Sequence, residues 1–194
     1  MTEIKPFTLP AKILLAAAMC QASQKEVRYY LRGISVDSRR IAATTGHYMF
    51  VNYTENWPTE FKNKFPPAGL IINIDGKIPK KADIAKFTPI KDGFGFVEYK
   101  SRDEKHVGRS LFSIIDGKFP DVEKITKTNG DADIDTSLYD AKYIAKIGSV
   151  FAAIGSPKFP SVKLTIRGKD KVLLSTKKHA EFGLCEMYLM PRRE

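Results

Sequence analysis

The chain has 194 residues, 43% hydrophobic and 28% charged, which suits one large folded domain or one and a half small ones and excludes a disordered chain. Lys and Arg number 32 against 22 Asp and Glu, a formal charge of +10 that points to a polyanionic partner, nucleic acid first and an anionic membrane surface second. Two cysteines far apart, Cys20 and Cys185, exclude a disulfide framework and read as buried thiols of a reducing compartment.

The N-terminus, Met1-Thr2-Glu3-Ile4-Lys5, has no apolar run of signal-peptide length. No stretch approaches the ~18 apolar residues of a membrane span, so a cytoplasmic protein is expected. Pro10 stands where a first helical residue would be, and the Ala-, Leu- and Met-rich run Ala11 to Ala22 predicts a helix. Two strand-like runs follow, Val27 to Val36 and Arg40 to Tyr53. Thr45-Gly46 inside the second suggests a bulge or a close backbone approach. Residues 54 to 69, with Trp57-Pro58 and Pro66-Pro67, read as a loop. Leu70 to Ile74 reads as a short strand before the turn signal Asp75-Gly76. Pro79 to Phe87 could hold a short helix, and Phe94 to Lys100 and Val107 to Ile115 read as strands.

A second clear helix is predicted from about Ser137 to Ile154, with Ser137 and Asp140 resembling a capping box. Ile144, Ile147, Phe151 and Ile154 recur at helical spacing as one apolar face, and Lys142 and Lys146 lie one turn apart opposite it. Val162 to Arg167, Lys171 to Thr176 and Ala180 to Met190 close the chain as strands. The order reads as a strand–helix–three-strand unit used three times, with the middle copy degraded.

Residues for catalysis are hard to assemble. No phosphate loop is present, and Gly168-Lys169-Asp170-Lys171 reads as a β-turn. His47, His106 and His179 are scattered, without a spacing that suits zinc. Asp131, Asp133 and Asp135 alternate and could hold Mg²⁺ for a nucleic-acid-processing enzyme. They better suit a solvated loop entering a helix N-terminus, where negative charge is favourable. No serine or cysteine nucleophile finds a base. The residues argue for a binding protein, with no catalytic residue, metal or cofactor expected.

Four segments resemble one family. Phe7-Thr8-Leu9-Pro10, a helix and Val27-Arg28-Tyr29-Tyr30-Leu31-Arg32-Gly33 resemble the opening of the middle domain of the bacterial DNA polymerase III beta subunit, the DNA sliding clamp, with its R-Y-Y-L-N-G. Ala43-Thr44-Thr45-Gly46-His47-Tyr48-Met49 resembles the family's A-T-D-G-H-R-L. Asp116-Gly117-Lys118-Phe119-Pro120-Asp121-Val122 resembles its D-G-x-F-P-D-Y. Tyr188-Leu189-Met190-Pro191-Arg192-Arg193 resembles its terminal Y-V-V-M-P-M-R. By this resemblance, residues 1–126 correspond to the clamp's middle domain and 127–194 to the closing half of its last domain. The clamp's first domain and half of its third have no counterpart, as in a compact, phage-like version.

The resemblance implies an α+β DNA-clamp fold, with antiparallel sheets outside and helices facing a central channel. It implies a processivity factor that encircles duplex DNA and tethers a polymerase. Lining cations track phosphates without reading sequence. Here those positions are Lys12, Lys142 and Lys146 on the two helices, and Lys80, Lys81 and Lys86 on the weak middle one. The family's DNA-touching loop matches Lys25, Arg28, Tyr29 and Tyr30, cations beside aromatics. A hydrophobic pocket for peptides of polymerases and the clamp loader matches Leu31, Thr44, Gly46, His47, Tyr48, Met49, Pro120, Ile125, Tyr188, Met190, Pro191 and Arg192. Tyr48, Arg192 and Glu194 depart from the family's Arg, Met and Leu, so the pocket is expected to be reshaped.

Two other readings fit: a clamp-like modulator that competes for the same peptides without encircling DNA, and the metal-dependent enzyme. A ring implies a homo-oligomer. It closes as a tetramer of three-unit chains, or as a trimer if each chain supplies two compact domains.

Overall fold

The computed structural model of the chain describes residues 4–63, 65, 69–126, 138–155, 162–167 and 172–191. β1 (Phe7–Pro10) runs directly into α1 (Ala11–Ala18). Pro10, with φ −64°, is the cap, and Ala11, Ile13, Leu14, Ala16 and Ala17 are buried. The helix stops short of Ala22 because the chain is pulled toward the next segment. The Ala22 N–H donates to Leu31 O at 3.0 Å, and Gln21 Nε2 donates to Arg32 O at 2.6 Å.

The run Val27 to Val36 is not one strand. Tyr29–Arg32 forms a 3-10 turn, in which the Tyr29 and Leu31 N–H groups donate to Val27 O and Arg28 O at 2.9 Å each. Only β2 (Ile34–Val36) is extended. Local bonds to near neighbours win over β propensity in 27–33, which has no described strand beside it. Arg40 to Tyr53 is likewise two strands, β3 (Arg40–Thr44) and β4 (Tyr48–Tyr53), joined through Gly46 at φ +90°. Two 3-10 turns, Thr54–Asn56 and Thr59–Phe61, lie in the expected loop.

β5 (Leu70–Asp75), β6 (Ile84–Lys91), β7 (Phe94–Lys100) and β8 (His106–Ile114) follow. The short helix expected over Pro79 to Phe87 is absent. A single turn, Ala82 N–H to Pro79 O at 3.0 Å, leads into β6. Alternation decides this: Ala85 and Phe87 are buried while Lys86 is exposed, and Phe87 stacks on Phe7 of β1 at 4.7 Å. Pro89 sits beyond the residues that pair with β1, where its missing N–H costs nothing.

α2 (Val122–Thr126) and α3 (Ala141–Ala153) come next, then β9 (Lys163–Arg167), β10 (Val172–His179) and β11 (Gly183–Leu189). Asp140 caps α3, its side chain accepting from the Lys142 N–H at 2.8 Å; Ser137 lies outside the described residues. Ile147, Phe151 and Ile154 are buried, but Ile144 is 42% exposed and does not belong to the apolar face.

The eleven strands among the described residues form one antiparallel sheet, in the order β1-β6-β7-β8-β5-β2-β3-β4-β11-β10-β9. Two crossings organise it. β1, which opens the first unit, pairs with β6 of the second; β5, which opens the second, pairs with β2 of the first. Each opening strand thus completes the other unit's three-strand meander. Alternation along β3, β4 and β11 splits the side chains between two cores. Ile41, Ala43, Phe50, Met187 and Leu189 meet α1 and α3 on one face. Ala42, Met49, Val51 and Tyr188 meet α2 on the other.

Candidate nucleic-acid and peptide interface

Residues of all four motifs converge. Arg28 of the 23–32 loop lies across the hairpin at Gly46, where a Cβ would stand 2.9 Å from its guanidinium. Tyr29 and Tyr30, edge to face at 5.8 Å, lie against Gly117. Both glycines are therefore sites of close approach. Arg28 also holds Glu26 at 2.9 Å, and this bond takes the Glu26 carboxyl down to about 2. Val27 and Tyr29 are exposed beside these charges, so the loop presents cations and aromatic faces together.

The helix face carries the other cations. Lys142 is exposed on α3. Lys146 is half-buried and close enough to Cys20 to oppose the rise in its thiol, which burial pushes up to about 12. Lys12 on α1 is held by Asp83 at 2.7 Å, so part of its charge is answered within the chain. Lys25 is exposed in the loop. Lys80, Lys81 and Lys86 are exposed but stand on the turn before β6 and on β6 itself, not on a helix. The middle helix expected to carry Lys80, Lys81 and Lys86 is therefore replaced by a turn and a strand.

The twelve peptide-pocket positions divide. Thr44, Gly46, His47 and Tyr48 form the β3–β4 hairpin, closed by Thr44 Oγ1 donating to Tyr48 O at 2.8 Å. Met190 N–H donates to His47 O at 2.9 Å, which brings the C-terminal motif to that hairpin. His47 and Tyr48 face α3, where Tyr143 packs on both rings at 5.6 and 5.0 Å. Burial there pushes the Tyr48 hydroxyl up to about 12. Met49 and Tyr188 point to the opposite face. They are 0% and 2% exposed beneath α2, with Ile125 and Met190 packed against them.

Leu31 is also buried. Met49, Tyr188 and Leu31 are thus core residues in this chain and offer no surface to a peptide. Alternation put them inside once their strands or turns formed. Pro120, Ile125, Met190 and Pro191 remain half-buried at the rim, and Pro120 lines a cleft of about 1150 Å³ with Arg40, Ile115 and Phe119. Arg192, Glu194 and the carboxylates Asp131, Asp133 and Asp135 lie outside the described residues.

Residues that sequence reasoning missed lie along the β4–β11 seam. Asn52 Nδ2 donates to Phe182 O and Leu184 O at 2.9 Å each, and Asn52 Oδ1 accepts from Trp57 Nε1 at 2.7 Å. Tyr143 gave no sequence signal beyond its helical position. Among the described residues, no group of three or more His, Cys, Asp or Glu could hold a metal ion. No helix among them is long and apolar enough to cross a membrane.

No protein-family model matches the sequence, and no curated protein is similar to it in sequence. Solved structures are similar in fold. DNA polymerase III subunit beta from Borrelia burgdorferi, in complex with a natural product, matches 98% of this chain with a TM-score of 0.58 at 14% identity. The sliding clamp from Bartonella birtlesii, bound to griselimycin, matches 100% of it at 0.57 and 16%. The DNA polymerase sliding clamp from Caulobacter crescentus matches 100% of it at 0.55 and 14%. The chain spans 64% of the Borrelia chain's length and 68% of the other two.

Proposed function

We propose that this chain, whose fold is that of the bacterial DNA polymerase III beta sliding clamps, is a non-enzymatic, cytoplasmic processivity factor. Several copies encircle duplex DNA and tether a polymerase through short peptides. One observation carries this reading: α1 and α3 pack on the same face of one continuous antiparallel sheet, with Lys12, Lys142 and Lys146 on the two helices of a chain with a charge of +10. Cations fixed to a helix layer suit phosphates of any sequence, and such binding falls steeply with salt. The Arg28, Tyr29 and Tyr30 loop adds a second contact with the aromatic faces that exposed bases stack on.

Lys142→Glu combined with Lys146→Glu tests the helix face. Duplex binding should weaken by at least tenfold at moderate salt while the melting temperature holds, because neither side chain is in the core. Unchanged binding would remove the helix face from the interface. Encirclement is tested separately: retention on nicked circular DNA should outlast retention on the same molecule linearised.

For peptides, the reading rests on the half-buried rim of Pro120, Ile125, Met190 and Pro191. A polymerase-type peptide with apolar anchors should bind with a dissociation constant of about a micromolar. Met190→Ala with Pro120→Ala should weaken it about tenfold. Equal binding by the folded double variant would put the peptide elsewhere.

A further inference from the structure

The face of the sheet that carries α2 holds apolar surface beyond the Pro120 rim. The cleft of about 1150 Å³ that Pro120 lines reaches from α2 to the β6–β7 turn. Its floor includes the outward side of β2 and β5, where Ser35 and Ile71 face each other in register. Phe119 and Pro120 line its α2 end, and Pro89 and Ile90 line the other. The β6–β7 register shifts there: Pro89 pairs with Gly95 and Lys91 with Phe94. Ile90 is therefore the extra residue of a bulge, a device that re-aims a side chain. It is 70% exposed, and Phe94, just past the turn, is 63% exposed. Leu111, beside Phe96 on the same outward face, is 62% exposed.

Large apolar side chains in water at the mouth of an apolar-floored cleft mark a binding surface. Charge and extent decide what it binds. Lys91, Lys118 and Lys124 stand around the cleft against Asp92, Asp116 and Asp121, all six exposed. Arg40 is held within the chain by Asp37 at 3.5 Å. Charges that balance in this way give a polyanion no net attraction, so nucleic acid is disfavoured on this face. Ile90, Phe94 and Leu111 sit on three neighbouring strands and cover roughly 10 Å by 7 Å. That is small beside the ~800 Å² that each partner gives to a stable interface, so a second copy is disfavoured too. A short peptide needs neither net charge nor that area, and clefts of about this size hold small ligands.

We propose that a partner peptide anchored at the Pro120 rim continues into this cleft as a near-neutral extended segment, with its apolar side chains on Ile71, Phe119 and Ile90. The inference rests on the peptide part of the proposed function and extends it. Pro120 belongs to both surfaces, so the peptide passes from one to the other without a gap. The rim holds the anchors, and the cleft selects among peptides that share them by the residues alongside. A charged side chain in that segment would lose water over the buried Ile71 and gain no partner, so peptides with charged flanks are rejected.

Fluorescence polarisation on the full chain tests this with three peptides. One carries the apolar anchors alone. The others add about six residues of alternating apolar and polar type, some 20 Å when extended, at one end or at the other. One of the longer peptides should bind at least tenfold tighter than the short one. Ile90→Asp should remove that gain and leave the short peptide's binding unchanged; the side chain is exposed, so the variant keeps its fold. No gain from either extension, or a gain that survives Ile90→Asp, would overturn the proposal. A longer peptide that binds through Ile90 while the short one does not bind would overturn the rim reading alone, and no binding by any peptide would overturn both. A photoreactive benzophenone in the added segment gives a second readout. It should crosslink to residues 89–94 or 115–120 of the parent, and crosslinks confined to other residues would overturn the proposal.

Discussion

The two sides of the closing meander are held in different ways. On its β11 side the sheet is sealed to β4. There Asn52 bridges two carbonyls of the β10–β11 turn and the Trp57 indole, and Phe182 packs on Trp57 and Phe61 at 6.5 and 5.9 Å. On its β9 side no described strand follows. The far end of the sheet, β1, offers a third case. Asn63 stands in for a strand there: its side-chain oxygen accepts from the Thr8 N–H at 3.1 Å, and its amide donates to Thr8 O at 2.6 Å. An edge capped by a side chain cannot template another chain, whereas an open edge can. Single amides thus close two joints of this sheet, at the β4–β11 seam and at β1.

The contrast can be broken most strongly at the seam. Asn52→Ala should cost about 3 kcal/mol, because it leaves the buried Trp57 N–H without its acceptor and removes the bonds to Phe182 O and Leu184 O. For a chain of this size, that loss should lower the melting temperature by roughly 6–12 °C in a circular dichroism melt. Gly183→Ala should act on the same joint at about 1–2 kcal/mol. Gly183 has φ +68°, and an added Cβ would stand 2.6 Å from Asn56. Urea unfolding would read this loss as a lower midpoint with an unchanged slope.

The capped end should yield less. Asn63→Ala should cost about 1 kcal/mol. It should also open the β1 edge, so that light scattering shows association rising with concentration above the parent's. If the variant associates no more than the parent, Asn63 is not what closes that end.

The smallest effect is a pH dependence at the seam. His179 Nδ1 accepts from the Glu181 and Phe182 N–H groups at 3.0 and 3.2 Å, and the ring stacks on Phe182, so the folded state favours the neutral imidazole. Burial is the main cause that lowers its pKa, against the opposing pull of Glu181. The unfolded chain takes up a proton near the ordinary value of about 6.5 and the folded chain does so only below it. This contribution is therefore complete above that value and lost as pH falls through it toward the folded value. Midpoints measured on either side of that window should converge for His179→Gln relative to the parent.

Much of the fold was legible where local pattern and tertiary pairing agree. α1, α3 and the strands β5, β7 and β8 follow from helical or alternating apolar spacing. The failures share a cause. Val27 to Gly33 has strand composition but pairs with no described strand, so local bonds and the Arg32 guanidinium on Glu26 O turn it into a loop, and only Ile34–Val36 joins the sheet. Pro79 to Phe87 has helix-like flanks, yet β1 lies beside it and imposes a strand.

The site was legible as motifs but not as surface. The meeting of Arg28 with Gly46 was foreshadowed by the glycine. The burial of Met49 and Tyr188 was not, because it depends on α2 closing over a face that only the β4–β11 pairing creates.

Trp57 is the chain's single tryptophan, and it is buried with its N–H on Asn52. The molecule therefore carries its own optical reporter at the joint between its first two units and its third. Indole emission that shifts to the red before the far-ultraviolet ellipticity falls would mean that this joint opens while the strands persist. Coincident changes would mean that the sheet melts as one cooperative body.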